Sequence, residues 1–165
     1  MKKITKLNKN FFKGILPLLL LLSFIFNPLK VSAEVAETEI NGELINASSE
    51  FLRDLDFETW QLVAYKSALF EDKLILRVIG YPGNLRIDHP TELTVESGRK
   101  KWFLDDKTLL NEELANDGRQ AAAEFDLDNL IQNIDKNRPL RLSLSSVFSE
   151  LPVPPFVVKE WRSLN

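Results

Sequence analysis

The chain has no cysteine among its 165 residues. Disulfides, thiol catalysis, iron–sulfur clusters and cysteine-type structural zinc are thereby excluded, and so is a lipid anchor attached through a cysteine behind a leader. Histidine occurs once, at His89. A single imidazole without thiolates does not reach the three or four ligands of a zinc site unless several carboxylates join it. A Ser-His-Asp arrangement of His89 with Ser143, Ser145 or Ser146 lacks the G-x-S-x-G elbow. No internal repeat, low-complexity block, cofactor motif or second long apolar run follows residue 33. Neither a cofactor nor a metal is expected.

What is present begins with an address. Lys2, Lys3, Lys6, Lys9 and Lys13 form a basic lead, an apolar core runs from Gly14 to Phe26, and Val31-Ser32-Ala33 supplies a small-x-small cleavage site. That is the build of a secretory signal peptide. The core falls short of the about 20 apolar residues of a bilayer span, and Pro17 and Pro28 disfavour a lasting helix. Residues 1–33 therefore read as a signal peptide cut after Ala33, with an exported, soluble product not inserted stably in a membrane. Losing it removes six lysines and no acid, so the net charge moves from −3 to −9, fifteen basic against twenty-four acidic residues. Nucleic acid, whose binding rests on cationic contacts to phosphate, is not an expected partner. An anionic lipid surface attracts such a chain no better.

The 132 residues from Glu34 onward fit one domain. Residues 34–49 are polar and lack a period, and read as a flexible linker; residues 50–165 read as a single β-rich domain. Trp60, Leu62 and Ala64 alternate with Gln61 and Val63. Leu74, Leu76 and Val78 alternate with Ile75, Arg77 and Ile79, largely apolar on both faces as in a central strand. Tyr81-Pro82-Gly83-Asn84 carries turn chemistry, residues 85–87 read as a short strand, and residues 93–104 as a hairpin about Ser97-Gly98. An acidic loop is expected over 105–118, with one helical turn at 111–115. Ala121, Ala123 and Phe125 resume a period of two, and Asp128 is placed to cap a helix over 129–134. Leu140, Leu142 and Leu144 make the clearest amphipathic strand. Residues 152–155 break the sheet pattern, and Pro155 suits the first turn of a terminal helix to about Ser163. Val157, Trp161 and Leu164 would dock that helix, which is too short to stand alone. The expected fold is mainly β: a single-domain antiparallel β-sandwich or partly open barrel with short helices, including a C-terminal one. Its expected core is Trp60, Leu62, Leu74, Leu76, Val78, Leu93, Phe125, Leu140, Leu142, Leu144 and Trp161.

Asp105, Asp106, Glu112, Glu113, Asp126 and Asp128 are the carboxylates available for acid–base work, and two facing each other suffice for glycoside hydrolysis. Acids on a loop are explained equally by solvation, and 105–117 departs from the D-x-[DN]-x-[DN]-G order of a calcium loop. His89, in Asp88-His89-Pro90, is expected as a hydrogen-bonded turn residue. Residues 151–156 contain a P-x-x-P spacing that suits a partner's groove and, more simply, a rigid strand-to-helix connector. Arg99-Lys100-Lys101-Trp102 is a basic arm suited to an acidic partner or lipid headgroups; edge-strand charges that block aggregation explain it more simply. Asn46-Ala47-Ser48 matches a glycosylation sequon, which matters only in a eukaryotic secretory pathway. Partner contacts are expected on loops held by the scaffold, with Tyr81, Arg86, His89 and Phe156 as the candidate surface and its two aromatics as anchors.

Arg53-Asp54 followed by Trp60-Gln61, Leu76-Arg77-Val78-Ile79-Gly80-Tyr81-Pro82-Gly83, His89-Pro90 with Leu93, Pro139-Leu140-Arg141-Leu142, and the ending from Val153 to Trp161 together resemble an uncharacterised cyanobacterial family, the domain of unknown function 3122. The resemblance runs from about Ser49 to Arg162. It brings no activity, so no catalytic residue is carried over. It implies a cyanobacterial source, hence the thylakoid lumen or the periplasm, and makes eukaryotic glycosylation irrelevant. The expected function is that of a non-enzymatic accessory or binding protein with a protein partner, such as a membrane-complex component. A hydrolase using paired carboxylates, glycosidase-like, is the alternative.

Overall fold

The computed structural model describes residues 35–40, 42–81, 86–116 and 121–165. The leader and the 82–85 part of the expected turn lie outside the described residues. Among the described residues, nine strands form two antiparallel sheets. The first has the order β1-β2-β3-β4-β7, with β1 Ala36–Ile40, β2 Glu43–Arg53, β3 Thr59–Ser67, β4 Lys73–Ile79 and β7 Ala122–Asp126. The second has the order β6-β5-β8-β9, with β5 Glu92–Ser97, β6 Lys100–Asp105, β8 Leu140–Leu144 and β9 Phe148–Val153. Three short helices accompany them: α1 Glu112–Asn116, α2 Asp128–Asn133 and α3 Pro155–Ser163. Each sheet keeps two edge strands, so among the described residues there is a two-sheet, mainly β fold and no closed barrel.

The strand period of two sorts the side chains. Trp60, Leu62 and Ala64 from β3, Leu74, Leu76 and Val78 from β4, and Ala123 and Phe125 from β7 share one core with Leu93, Val95, Leu104, Leu140, Leu142, Leu144, Leu151 and Val153 of the other sheet. All eleven expected core residues are buried. The opposite face of the first sheet carries a smaller apolar cluster of Ile40, Ala47, Val63, Tyr65 and Ile75. That is why β4 reads as apolar on both sides. Gly98 takes φ +62 in the β5–β6 turn, where a side chain would be strained. Helix α3 begins with Pro155 in its first turn and buries Val157, Val158 and Trp161.

Four local expectations are corrected. Where a flexible linker was expected over 34–49, β1 and most of β2 pair in register from Ala36↔Ala47 to Ile40↔Glu43. Residues 86–88 form no strand, although Ile87 is buried. Pro152 does not break the sheet but lies inside β9, opposite Arg141; β9 is an edge strand, where a missing N–H costs no ladder bond. Asp128 does not cap α2: its Oδ1 accepts from the backbone N–H of Leu74 at 2.9 Å, while Asp126 Oδ1 accepts from the Asp128 N–H at 3.1 Å. The helical turn in the acidic loop is present, as a 3₁₀ turn at Thr108–Leu110 followed by α1.

Candidate functional site

The connection from β2 to β3 spans residues 54–58 and is organised by one carboxylate. Asp54 is buried. Its Oδ1 accepts hydrogen bonds from the N–H groups of Asp56 and Glu58, each at 2.9 Å, and its Oδ2 accepts from Trp60 Nε1 at 2.9 Å. Backbone bonds close the turn further, Asp54 N to Glu58 O at 3.1 Å and Phe57 N to Asp54 O at 3.2 Å, and Leu55 N reaches Glu150 O of β9 at 3.2 Å. Trp60 is clamped in turn by an edge-to-face contact with Phe148, centroids 4.8 Å apart. The result is a turn that holds two apolar side chains out in solvent. Leu55 is 58% exposed and Phe57 78% exposed. Phe57 sits at φ 65, a left-handed conformation that costs a side-chain-bearing residue about 1–2 kcal/mol. The turn spends that energy on a ring that contributes nothing to the core.

A second polar assembly lies on the outer face of the first sheet. Glu124 on β7 is fully buried. Its carboxylate accepts from Tyr65 Oη, from Arg77 Nε at 2.8 Å and from Asn111 Nδ2 at 3.1 Å. Arg77 also donates to Tyr65 Oη at 3.1 Å and lies over its ring. Burial, then the neighbouring Glu124 carboxylate, pushes the Tyr65 phenol well above its ordinary value. The network continues through Thr108, whose Oγ1 accepts from the Glu124 N–H at 2.8 Å and donates to Asp106. Asp106 accepts from the Thr91 N–H at 2.9 Å, and His89 Nδ1, at 2.7 Å, donates to the same oxygen. Every carboxylate oxygen in this chain of contacts is engaged by a donor, which makes it a scaffold that seats the 106–116 segment on the sheet.

Of the residues expected on the partner surface, Tyr81 and Phe156 are exposed, on either side of the half-exposed mark at 69% and 44%. Arg86 is exposed and paired with Asp88 at 2.8 Å. His89 is partly buried and turned toward Asp106 rather than Asp88. The acidic candidates are dispersed. Asp105 pairs with Lys107 at 3.7 Å and Asp126 with Lys73 at 3.5 Å, while Glu112 and Glu113 open α1 at the surface. A cavity of about 240 Å³ does bring Glu71 and Asp126 to one lining, together with Lys73 and Lys107. Among the described residues, no three His, Cys, Asp or Glu form a group that would hold a metal ion, and no helix is long and apolar enough to cross a membrane.

The sequence does not single out Phe57 or Glu124, and it marks Asp54 only as part of the Arg53-Asp54 family pattern, without a role. The signals were there in part. Arg77 and Glu124 are lone opposite charges in two apolar runs, 74–79 and 121–125, and such charges need each other when buried. Asp54 is an Asx residue opening a short connection, where it commonly bonds backbone two residues on. No curated protein and no solved structure matches the chain. The family described as "Protein of unknown function (DUF3122)" matches residues 33–164, the whole of the domain described above, and the chain belongs to that family.

Proposed function

We propose that the protein is an exported, non-enzymatic accessory module that binds a protein partner through the β2–β3 turn. The observation that carries this reading is Phe57, a strained and exposed aromatic on a turn fixed by three hydrogen bonds to the Asp54 side chain. Aromatic anchors held in place before binding lose little entropy on association and dominate interface energies. Leu55 in the same turn, and Phe51 on the adjoining β2 at 68%, are exposed as well. Export to the thylakoid lumen or periplasm is supported by the leader sequence, and by the family match beginning at residue 33, next to the expected cleavage point.

The test compares tagged wild type with Leu55→Ser/Phe57→Ser, both captured from membranes after mild crosslinking, with amino-terminal sequencing of the recovered protein. The expected result is a sequence beginning at Glu34 and a partner band present with wild type and lost with the variant, whose melting is unchanged. An equal partner yield from both proteins would remove the turn as the docking site. An amino terminus at Met1, with the protein in the cytoplasm, would remove export.

A further inference from the structure

Where β5 turns into β6, the sandwich is open at one end, and the opening is basic. Alternation along β6 directs Lys100 and Trp102 to the core-facing side with Leu104, and Lys101 and Phe103 to the other. The connection from α2 to β8 passes over this end. It is fixed by Ser97 Oγ donating to Pro139 O at 3.2 Å, by Arg138 N to Lys136 O at 2.8 Å, and by Arg162 of α3 donating to Asn137 Oδ1 at 2.7 Å. Hairpin and connection enclose a cavity of about 280 Å³. Trp102 and Ile134 supply its apolar lining, and Arg99, Lys100, Lys136 and Arg138 its charge, against the single acid Asp135. None of these four cationic side chains makes an ion pair or hydrogen bond among the described residues.

The gathering of four cations on one cavity of an acidic chain is what points to a ligand; Arg53, Lys66 and Lys159 also make no ion pair among the described residues, but they do not line this cavity. The protein is acidic overall, and Lys73, Arg77, Arg86, Lys101, Lys107 and Arg141 all have carboxylate partners. Four cations gathered on one concavity without partners repel each other, and an anion relieves that repulsion. Edge protection accounts for charge along β6, but Lys136 and Arg138 belong to no strand.

We infer that this cleft is a binding site for a small organic anion, a carboxylate, sulfonate or phosphate attached to a flat apolar group. The apolar part lies against Trp102 and Ile134, and the charge meets Arg99, Lys100, Lys136 and Arg138. The volume is just below the roughly 300–1,000 Å³ of drug-sized sites, so the ligand is fragment-sized. An inorganic ion would leave the indole unused. A membrane would meet an acidic protein with one small basic concavity, too little for stable attachment, since juxtamembrane attraction grows by about 1 kcal/mol per basic residue and is screened within a Debye length. The site shares no residue with the β2–β3 turn and stands or falls independently of partner binding there.

The experiment titrates the exported protein with naphthalene-2-sulfonate by calorimetry, beside the uncharged 2-naphthylmethanol, sodium phosphate and phosphatidylglycerol vesicles. Naphthalene-2-sulfonate is expected to bind, with the alcohol and phosphate each weaker by about tenfold or more, a difference of about 1.4 kcal/mol. Arg99→Gln/Arg138→Gln is expected to weaken it by a similar factor at unchanged melting temperature, while Lys66→Gln, an exposed cation elsewhere, leaves it unaltered. Lys100→Gln/Lys136→Gln repeats the measurement should the first variant fold poorly. The inference is overturned if naphthalene-2-sulfonate does not bind at millimolar concentration, or if the alcohol binds equally. It is also overturned if phosphate binds equally, if only vesicles bind, or if the folded charge variants bind like wild type.

Discussion

The buried carboxylate of Asp54 accepts the indole N–H of Trp60 at 2.9 Å while it also closes the turn between them. One side chain thus satisfies a core aromatic and shapes the exposed loop that the same aromatic anchors. Local turn, core packing and surface display depend on a single group.

Removing that group should unfold the relation from both ends. Asp54→Ala leaves the indole and two backbone donors unpaired, and each such group costs about 1–3 kcal/mol when buried. The turn donors are only partly buried, so the expected loss in urea unfolding is about 2–4 kcal/mol. Trp60→Phe removes the donor together with part of a buried ring, and a double-mutant cycle subtracts the ring loss because it is common to both backgrounds. In that cycle the two changes should couple by at least about 0.5 kcal/mol; additive effects would show that the bond contributes nothing.

Glu124 is the stronger case, because it is charged, buried and shared. Its truncation takes an acceptor away from Arg77, Tyr65 and Asn111 at once. Glu124→Ala should cost about 3–5 kcal/mol, as for other buried pairs deprived of one partner. Tyr65→Phe removes two bonds, the one donated to Glu124 and the one accepted from Arg77, and should cost about 1–3 kcal/mol. Since both act on the same contacts, the double variant should fall short of the sum. Equilibrium denaturation of the four proteins reads this directly.

How much of this was legible follows from what periodicity can carry. The apolar alternations of β3, β4 and β8 are read easily, because each strand commits a full face to the core. Residues 34–49 read as a linker because β1 and the first part of β2 mix polar, acidic and apolar residues with little amphipathic contrast. Their connection nevertheless carries Asn41-Gly42, the dipeptide that most strongly favours a two-residue hairpin, with Gly42 at φ 80. β9 was hidden by Pro152, whose meaning depends on whether the strand is an edge. His89 and Asp106 are 17 residues apart, and nothing local marks one as the other's partner rather than Asp88. The basic arm 99–102 was visible, but Lys136 and Arg138 join it only through the β5–β8 pairing.

Two carboxyl groups should give stability opposite slopes against pH. Burial alone would raise Asp106, but the hydrogen bonds from Thr108, His89 and Thr91 outweigh it and hold the group below its ordinary value. It therefore binds more protons unfolded than folded. The stability it contributes is complete above its unfolded pKa of about 3.9 and is lost as pH falls through the lower folded value. Glu50 is raised, by burial and then by the nearby Glu160. It binds more protons folded, so stability declines as pH rises from about 4.3 through the raised folded value. Melting curves from pH 2 to 7 should show Asp106→Asn with a flatter acid limb than wild type. Glu50→Gln should be more stable than wild type at pH 7, and that advantage should vanish below about pH 4. A Glu50→Gln advantage that persists at pH 3 would show that its charge is not the cause.

The terminal helix offers the sharpest stability test. Trp161 is fully buried, and its Nε1 has no hydrogen-bond partner among the described residues. Around it, α3 adds Val157 and Val158 to the core, and Ser48 Oγ of β2 donates to Glu160 at 2.7 Å. A helix this short is not stable in isolation, so its order comes from this docking. Trp161→Ala should cost about 3–5 kcal/mol, the range for a large aromatic removed from a core. Trp161→Phe loses part of the ring but also an unsatisfied donor worth about 1–3 kcal/mol of desolvation. The two terms oppose each other, and the expected net change is within about 1 kcal/mol. A chain truncated after Pro155 should melt well below the intact protein. If it melts at the same temperature, or if Trp161→Phe is as damaging as Trp161→Ala, the helix does not hold the sandwich through the indole's apolar surface.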